Sequence, residues 1–322
     1  MIDKKTVFVL GAGASCPYGY PSGAQLREEI CLNLKIKYLN HLNIAYPDET
    51  TRRNKHEEIN FFIKTFNDST TKSIDLFLAR NPHLAETGKS IIAYTIFDTE
   101  IKSNFRERSK YPEQDWYFYL FDKLTGGVIN FKKLRRITTN SKVSFITFNY
   151  DRSLEHFLFE SFRNSFTKAP KHEIVTIMDS IEIIHMYGCI APLDWQDVEK
   201  GVAYKPSITE SLLNRYSSNI KTIYEQDNDS ELEGVDELLT DAEQIFYLGF
   251  GYTEENMDIL KVPETINSSA HIYGTAFKSS AKEIQDIVRK IVTRLKDSPG
   301  TIKRDQVDIK EWHCLKLLKE YL

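Results

Sequence analysis

The stretch that most constrains the fold is an apolar run near the start of the chain that breaks abruptly into small residues. Residues 7–10 predict a buried strand, and the loop that follows consists of Gly11, Ala12, Gly13, Ala14 and Ser15. Two glycines let the backbone turn tightly and expose N–H groups, so the pattern is typical of a nucleotide-phosphate loop. The full dinucleotide fingerprint is not met, because Cys16 stands in place of its third glycine and no acidic residue closes a second strand about twenty residues later. An ordinary dehydrogenase crossover is therefore disfavoured.

Composition sets the broad class of the protein. With 322 residues and 41% hydrophobic content, the chain can bury a large core. Its 42 basic and 46 acidic residues give a formal charge of −4, which provides no broad electrostatic footprint for nucleic acid. No apolar stretch has the length of a membrane span or of a secretory signal core. We expect a globular, cytoplasmic protein without direct contact to nucleic acid or membrane.

The cysteine pattern argues against a zinc ribbon and against a dense disulfide framework. Four cysteines lie far apart in the sequence, and none belongs to a CxxC pair. His185 and Cys189 lie four residues apart and could form half of a metal site, but no second pair is visible. We therefore expect free thiols, no zinc and no other metal.

The order of predicted elements indicates an α/β fold. Ser22 and Gln25 have the spacing of a capping box, which predicts a helix directly after the glycine loop. From about residue 30 to about residue 136 the pattern is mostly helical, which indicates an inserted module or lid. Later apolar runs predict strands at 143–148, 181–186, 244–248 and 271–273, with helical patterns among them. We predict a Rossmann-like, mostly parallel sheet flanked by helices, with a large helical insertion after the first strand.

Polar residues that follow strands are the first candidates for chemistry, because ligands bind at the carboxyl ends of strands in open α/β sheets. Thr147 ends one predicted strand, and Asn149 and Asp151 follow it at the start of an amphipathic helix. An amide and a carboxylate at such a corner can orient a ligand. Taken alone, however, Asp151 is also a good N-cap for that helix.

His185 and Tyr187 follow the next predicted strand and would share one face of the sheet if the strand continued. A histidine at a strand end suits a general base that titrates near neutral pH. Without a partner motif, the residues alone favour a structural role for His185.

Two further turns occur after the later strands. Gly249, Gly251 and Tyr252 follow one of these strands, and Gly274 and Thr275 follow the other. Glycine at these positions permits close approach of the backbone to a nucleotide, or simply a tight turn.

Taken in order, these sites resemble the NAD-binding core of the sirtuin family, and more closely its bacterial sirtuin-like, NAD-hydrolysing branch of antiphage defence. The loop of residues 11–15 with Gly19, Tyr20 and Pro21 is similar to the GAGxS and GxP segments of the family. Residues 147–151 match its T-x-N-x-D turn, and residues 249–252 resemble its later glycine-rich turn. The resemblance implies one sirtuin-like domain over residues 1–322, and no family motif matches the helical stretch within it.

The chain departs from the deacylating sirtuins at several motifs. Ser22, Gly23 and Ala24 replace their Asp-Phe-Arg segment, Phe148 replaces a glutamine, and the zinc-binding cysteine pairs are missing. These departures disfavour a protein deacylase. The His-Gly pair of the family is replaced by His185-Met186-Tyr187-Gly188, so literal alignment gives Tyr187 the histidine position. We take His185 as the first candidate base because of its ordinary pKa, and Tyr187 as the second.

The resemblance implies that NAD is the substrate and that the chain is an NAD glycohydrolase, which releases nicotinamide and ADP-ribose or cyclic ADP-ribose. Asn149 would orient water or ribose, Asp151 would hold the carboxamide, and His185 would accept a proton. NAD depletion would then serve antiphage defence, under control of a homo-oligomer or of a regulatory, phage-sensing partner. The alternatives are an NAD-dependent deacylase and a non-catalytic sensor of NAD or ADP-ribose. The implied NAD-binding residues are Gly11, Ala12, Gly13, Ala14, Ser15, Pro21, Thr147, Gly249, Gly251, Tyr252, Gly274 and Thr275.

Overall fold

A computed structural model describes residues 2–103, 112–138, 141–222, 225, 229–260, 269–294 and 303–322. Its centre is a six-stranded sheet in the order β3-β2-β1-β4-β5-β6, and every pair of neighbouring strands is parallel. The predicted α/β, Rossmann-like sheet is confirmed. The strands are β1 (Thr6–Leu10), β2 (Val143–Thr147), β3 (Ile183–His185), β4 (Gln244–Leu248), β5 (His271–Thr275) and β6 (Val307–Lys310).

The centre of the sheet is buried on both faces, as expected for a parallel sheet covered by helices. All five residues of β1 are buried, and Phe8 stacks between Phe145 of β2 and Phe246 of β4 at ring-centroid distances of 5.3 and 5.4 Å. The strand order reverses between β1 and β4, so these two strands form the topological switch point. Ligands of open α/β sheets bind at the carboxyl edge of this point.

Three strands differ from the sequence expectation. β5 includes Gly274 and Thr275, so the predicted turn at these two residues is wrong. β3 spans only three residues, because the chain turns immediately after it, with the Gly188 N–H donating to the His185 carbonyl at 3.1 Å. β6 has no counterpart among the predicted strands. It is only four residues long, and just two of them are buried, so its local pattern is weak.

Helices cover the sheet and fill the interval between β1 and β2, so the predicted helical insertion is confirmed. A π-helical turn at Glu29–Asn33 joins the first two of them. The helices are α1 (Gly23–Glu28), α2 (Leu34–Ala45), α3 (Glu49–Asp68), α4 (Ile74–Arg80), α5 (Ala85–Lys102), α6 (Trp116–Thr125), α7 (Phe131–Thr138), α8 (Ser153–Ser165), α9 (Lys171–Asp179), α10 (Glu210–Tyr216), α11 (Asp229–Asp241), α12 (Glu254–Ile259), α13 (Ala281–Arg294) and α14 (Cys314–Tyr321).

The helix after the glycine loop begins as its sequence predicts. The Ser22 hydroxyl accepts a hydrogen bond from the Gln25 N–H, and the Gln25 side chain accepts one from the Ser22 N–H. This reciprocal capping box satisfies two amides that the first turn of α1 would otherwise leave unpaired.

Among the helices within the described ranges, none combines the length and the apolarity that crossing a bilayer requires.

The insertion is tied to the sheet by buried polar contacts. The Trp116 indole N–H of α6 donates to the Ala14 carbonyl in the glycine loop at 2.8 Å. Arg152, which precedes α8, makes a bidentate ion pair with Glu100 of α5 at 2.9 Å for both bonds, and both side chains are fully buried. These contacts make the helical insertion part of the wall that surrounds the carboxyl edge of the sheet.

Candidate functional site

A cleft of about 320 Å³ lies at the carboxyl edge of the sheet, over the switch point between β1 and β4. The loops after β1, β2, β3 and β4 form its floor, and α4 and α5 of the insertion contribute to its wall. The predicted site residues that line the cleft are Gly11, Ala12, Gly13, Pro21, Asn149, Asp151, Tyr187, Gly249 and Gly251. The predicted residues that do not line it are Ala14, Ser15, Thr147, His185, Tyr252, Gly274 and Thr275.

Asn149 is held rigidly at the floor of the cleft. Its backbone N–H donates to the Thr147 hydroxyl at 3.1 Å, and its side-chain Nδ2 donates to the Ser15 hydroxyl at 3.0 Å. The amide oxygen Oδ1 is buried and has no hydrogen-bond partner among the described residues. An unpaired buried acceptor is costly in a folded protein, so Oδ1 is available to a ligand donor in the cleft.

Asp151 lies one residue before Arg152, which is the N-cap of α8, so the N-cap role that the sequence also offered for Asp151 is wrong. The Asp151 carboxylate accepts a hydrogen bond at 3.1 Å from the N–H of Ser153, the first residue of α8, and the side chain also lines the cleft. Burial raises the pKa of Asp151, although hydrogen bonds from Ser153 and Ser15 act in the opposite direction. The Ser15 hydroxyl therefore holds the amide of Asn149 and also lowers the pKa of the nearby Asp151 carboxyl group.

His185 lies away from the cleft. Its Nδ1 is 2.9 Å from the Asn149 carbonyl oxygen, and its Nε2 is 2.6 Å from the Glu155 carboxylate. Both ring nitrogens thus have partners, and the ring faces a second surface cavity of about 620 Å³. Burial disfavours the charged ring, but the Glu155 carboxylate outweighs it and raises the pKa of His185.

Tyr187, the second candidate base, lines the cleft. Its hydroxyl donates to the Asn256 side chain at 2.8 Å, and its ring makes an edge contact with Phe148. Burial, with the nearby Asp75 and Glu255 carboxylates, raises the pKa of Tyr187 far above its ordinary value. The hydroxyl therefore stays protonated and serves as a hydrogen-bond donor rather than a base.

His185 and Tyr187 do not share one face of the sheet, which was expected only for a strand that continued beyond His185. That expectation required the strand to continue through Tyr187, but β3 ends at His185. The chain then turns at Gly188, which has a positive φ of 72°. Because side chains alternate regularly only within a strand, the turn directs the two residues into different cavities.

The glycine loop packs closely against the loop after β4. The Gly13 N–H donates to the Gly249 carbonyl at 3.0 Å, and the N–H groups of Ala14 and Ser15 bond to carbonyls within the loop. A Cβ at Gly11 or Gly13 would lie 2.6 or 2.8 Å from backbone atoms of Gly249. The glycines therefore allow two backbones to meet, and these three amides bond within the protein rather than point into the cleft.

The loop after β4 is held in place by three residues outside the cleft, which are Tyr252, Gly274 and Thr275. The Thr275 hydroxyl accepts a hydrogen bond from the Gly249 N–H at 2.8 Å. A Cβ at Gly274 would lie 2.2 Å from the Tyr252 hydroxyl oxygen. These residues shape the loop that lines the cleft without reaching the cleft themselves.

Asp75 is a cleft residue that the sequence analysis missed. It lies in the first turn of α4, where the Ser73 hydroxyl donates to it at 3.2 Å and the Tyr150 hydroxyl donates to its other oxygen. Burial raises the pKa of Asp75 to about 6. In the sequence, Ser73 and Asp75 look like an ordinary helix start. That pattern does not indicate that the N-terminal end of α4 lies at the cleft.

Comparisons with known proteins leave the site to be interpreted from its geometry. No family model matches the chain, and a search of curated proteins found no significant match.

Proposed function

We propose that the chain binds NAD in the cleft and cleaves the bond between nicotinamide and ribose, as an NAD glycohydrolase. The observation that carries this proposal is Asn149, whose amide is fixed by Ser15 while its Oδ1 remains buried and unpaired at the cleft. A fixed acceptor of this kind can bind a ribose hydroxyl or orient a water molecule. The cleft lies at the switch point of the sheet, where nucleotides bind in open α/β folds.

Three carboxyl groups at the cleft, those of Asp75, Asp151 and Glu255, suit the charge that develops during the reaction. Breaking the N-glycosidic bond builds positive charge on the ribose, and nearby carboxylates stabilise such charge in a site with little water. Asp151 and Asp75 both line the cleft. We propose that Asp75 accepts the proton of the attacking water, because its pKa of about 6 leaves it mostly ionised at neutral pH.

This assignment changes the role of His185 from that expected by family resemblance. The ring bonds to the backbone carbonyl of Asn149 from outside the cleft, so we propose that His185 positions Asn149. Tyr187 contributes a hydroxyl donor at the position of the family histidine. Attack by water yields ADP-ribose, and attack by a group of the substrate itself yields the cyclic product.

The wider role proposed from the sequence resemblance is NAD depletion in antiphage defence, by a cytoplasmic protein. Such an activity needs restraint in healthy cells, so we further propose control through a homo-oligomer or a phage-sensing partner. The helical insertion forms part of the wall of the cleft, through Asp75 and Ile96. A partner that moves α4 or α5 would therefore alter the cleft directly.

The test is incubation of the purified chain with NAD over a range of protein concentrations, with nicotinamide and ADP-ribose followed by chromatography. We expect Asn149→Ala and Asp75→Asn each to lower turnover by about 100-fold or more. Asp305→Asn is the matched control, because Asp305 is exposed and precedes β6 at the opposite edge of the sheet. Turnover that persists in Asp75→Asn but disappears in His185→Ala would return the base role to His185.

A second candidate function is a non-catalytic sensor of NAD or ADP-ribose. The observation that favours it is that no histidine lines the cleft among the described residues. Calorimetric binding of NAD without nicotinamide release at any protein concentration would support the sensor. Release of nicotinamide only with an acylated lysine peptide would instead support a deacylase.

A further inference from the structure

A cluster of three potential metal ligands lies outside the cleft. Glu155 of α8, His185 at the end of β3 and Cys189 each offer one ligand atom, and these atoms lie within 4.8 Å of one another. The side chains of Glu155 and His185 are 5% and 12% exposed. All three residues line the surface cavity of about 620 Å³, so a metal ion held by them could also bind water.

The hydrogen bonding of His185 prepares its Nε2 for a cation. A backbone carbonyl can only accept, so the ring nitrogen Nδ1, which is 2.9 Å from the Asn149 carbonyl oxygen, must carry a hydrogen. In the neutral ring, Nε2 then presents a lone pair to the Glu155 oxygen only 2.6 Å away. At this distance the two atoms share a proton, and a metal ion with bonds of about 2.0 to 2.2 Å would displace that proton as the two atoms move apart. Donation from the other ring nitrogen to a backbone carbonyl is the usual support of a metal-binding histidine.

The turn after β3 places Cys189 near Glu155 and His185. Gly188 has a φ of 72°, and a Cβ there would lie 1.9 Å from the Asn219 carbonyl oxygen, so this turn requires glycine. The Cys189 thiol donates a weak hydrogen bond to the Ala191 carbonyl at 3.5 Å, which a metal–sulfur bond would replace.

We propose that Glu155, His185 and Cys189 bind a divalent transition metal of the zinc type. One imidazole, one thiolate and one carboxylate are ligands that zinc accepts, at about 2.0 to 2.3 Å. The carboxylate and the thiolate together balance the charge of the ion, and the thiol loses its proton when the ion binds. The three ligand atoms already lie within 4.8 Å of one another. This inference does not depend on the proposed reaction with NAD.

The expectation of no metal site rested on the absence of a second Cys or His pair. Glu155 precedes His185 by 30 residues and belongs to a helix on another part of the chain. A site assembled from a helix, a strand end and a turn has no spacing motif, so only the fold brings its ligands together.

The experiment uses the full chain after treatment with a chelator. Zinc is added and excess metal is removed by gel filtration, and bound zinc is measured by mass spectrometry. We expect one equivalent of zinc per chain, and in a parallel titration with cobalt(II) a near-ultraviolet charge-transfer band that requires a thiolate ligand. Loss of a supporting group around a metal lowers affinity about 10- to 100-fold, so we expect Cys189→Ser to weaken zinc binding by more than about 100-fold.

Cys31→Ser is the matched control, because Cys31 is also partly buried but lies in the π-helical turn of the insertion. It should keep both the zinc content and the cobalt band, while Glu155→Gln should weaken both. Absence of the thiolate band in the unmodified chain would overturn the proposal, whatever the variants do. Zinc retention that is equal in Cys189→Ser and the unmodified chain would also overturn it, and would leave Glu155 and His185 as an ion pair only.

Discussion

Ser15 is the residue on which the order of the cleft floor most depends. Its side chain is almost fully buried, its hydroxyl accepts a hydrogen bond from the Asn149 amide, and it lowers the pKa of the nearby Asp151. One hydroxyl can serve both neighbours because it has one donor hydrogen and two acceptor lone pairs. The amide and the carboxyl group are therefore oriented with respect to each other before a ligand binds.

Replacement of Ser15 by alanine tests this role. We expect Ser15→Ala to cost about 1 to 3 kcal/mol in the free energy of unfolding, because the Asn149 amide loses its partner. We also expect NAD turnover to fall at least about 10-fold, because the amide is no longer oriented. The control is Ser103→Ala, which removes another buried hydroxyl, bonded at 2.7 Å to the Glu100 carbonyl. Urea unfolding and steady-state kinetics measure the two effects, and equal loss of turnover in both variants would contradict the role of Ser15.

The raised pKa of Asp75 leads to a second prediction at the scale of one residue. Its pKa rises from 3.8 to about 6 on burial, so between these values the folded chain binds more protons than the unfolded chain. Stability therefore falls as pH rises from about 4 to about 6 and is constant above that range for this group. The rise in pKa corresponds to at most about 3 kcal/mol, since solvent in the cleft screens part of the effect. Asp75→Asn should remove this contribution.

The measurement is the free energy of unfolding in urea at several pH values from 4 to 7. The difference between the unmodified chain and Asp75→Asn isolates Asp75 from other titrating groups. A difference that does not change with pH would contradict the raised pKa.

At the scale of elements, the Arg152 guanidinium joins the insertion to the loop after β3. It pairs with Glu100 of α5 and donates to the carbonyls of Pro192, Val202 and Ala203 at 3.1, 2.7 and 2.8 Å. Arg152 is fully buried, and its planar fork of donors suits this set of acceptors. Three separate segments thus depend on one side chain for their hydrogen bonds.

Removal of this charge should be strongly destabilising. We expect Arg152→Met to lower the free energy of unfolding by about 3 to 5 kcal/mol, because the buried Glu100 carboxylate loses its cation. The control is Arg163→Met, which breaks an exposed ion pair with Glu160 in α8 and should cost less than about 1 kcal/mol. Replacement of both Arg152 and Glu100 by apolar residues should recover part of the loss. Denaturation curves that show similar small losses for both single variants would contradict this account.

At the scale of the whole molecule, the contacts of Trp116 and Arg152 connect the helical insertion to the segments that follow β1 and β2. Trp116 bonds to the loop after β1, and Arg152 lies between β2 and α8. Tyr18 and Tyr117 stack at 3.9 Å and extend the first of these contacts. The buried hydrogen bonds and aromatic contacts between the insertion and the sheet couple the stability of the insertion to that of the sheet.

We expect the insertion and the sheet to unfold together. Calorimetry should give one thermal transition, in agreement with the prediction of a single domain over residues 1–322. Hydrogen exchange should give amides of α5 and β2 similar protection, since both lie in the same core. Two resolved transitions, with α5 exchanging in the earlier one, would show that the insertion is a separate domain.

The sequence by itself determined the features that depend on local pattern. The apolar run before Gly11, the capping box at Ser22 and the polar corner at Asn149 each predict an element or a loop within a few residues. Parallel strands meet at one edge, so the order of these motifs also predicts that they share a cleft. The fold class follows from the same information, because the alternation of apolar strands and helical patterns repeats along the chain.

The tertiary structure alone decided which side chains face the cleft and which do not. His185 and Tyr187 are separated by a turn whose glycine is fixed by a carbonyl of Asn219, far along the chain. Asp75 reaches the cleft, and Glu155 reaches His185, through the packing of helices that no motif near either residue describes. The physical reason is that periodicity fixes the face of a side chain only within one element. Where an element ends, and what packs against it, depends on contacts between residues distant in sequence.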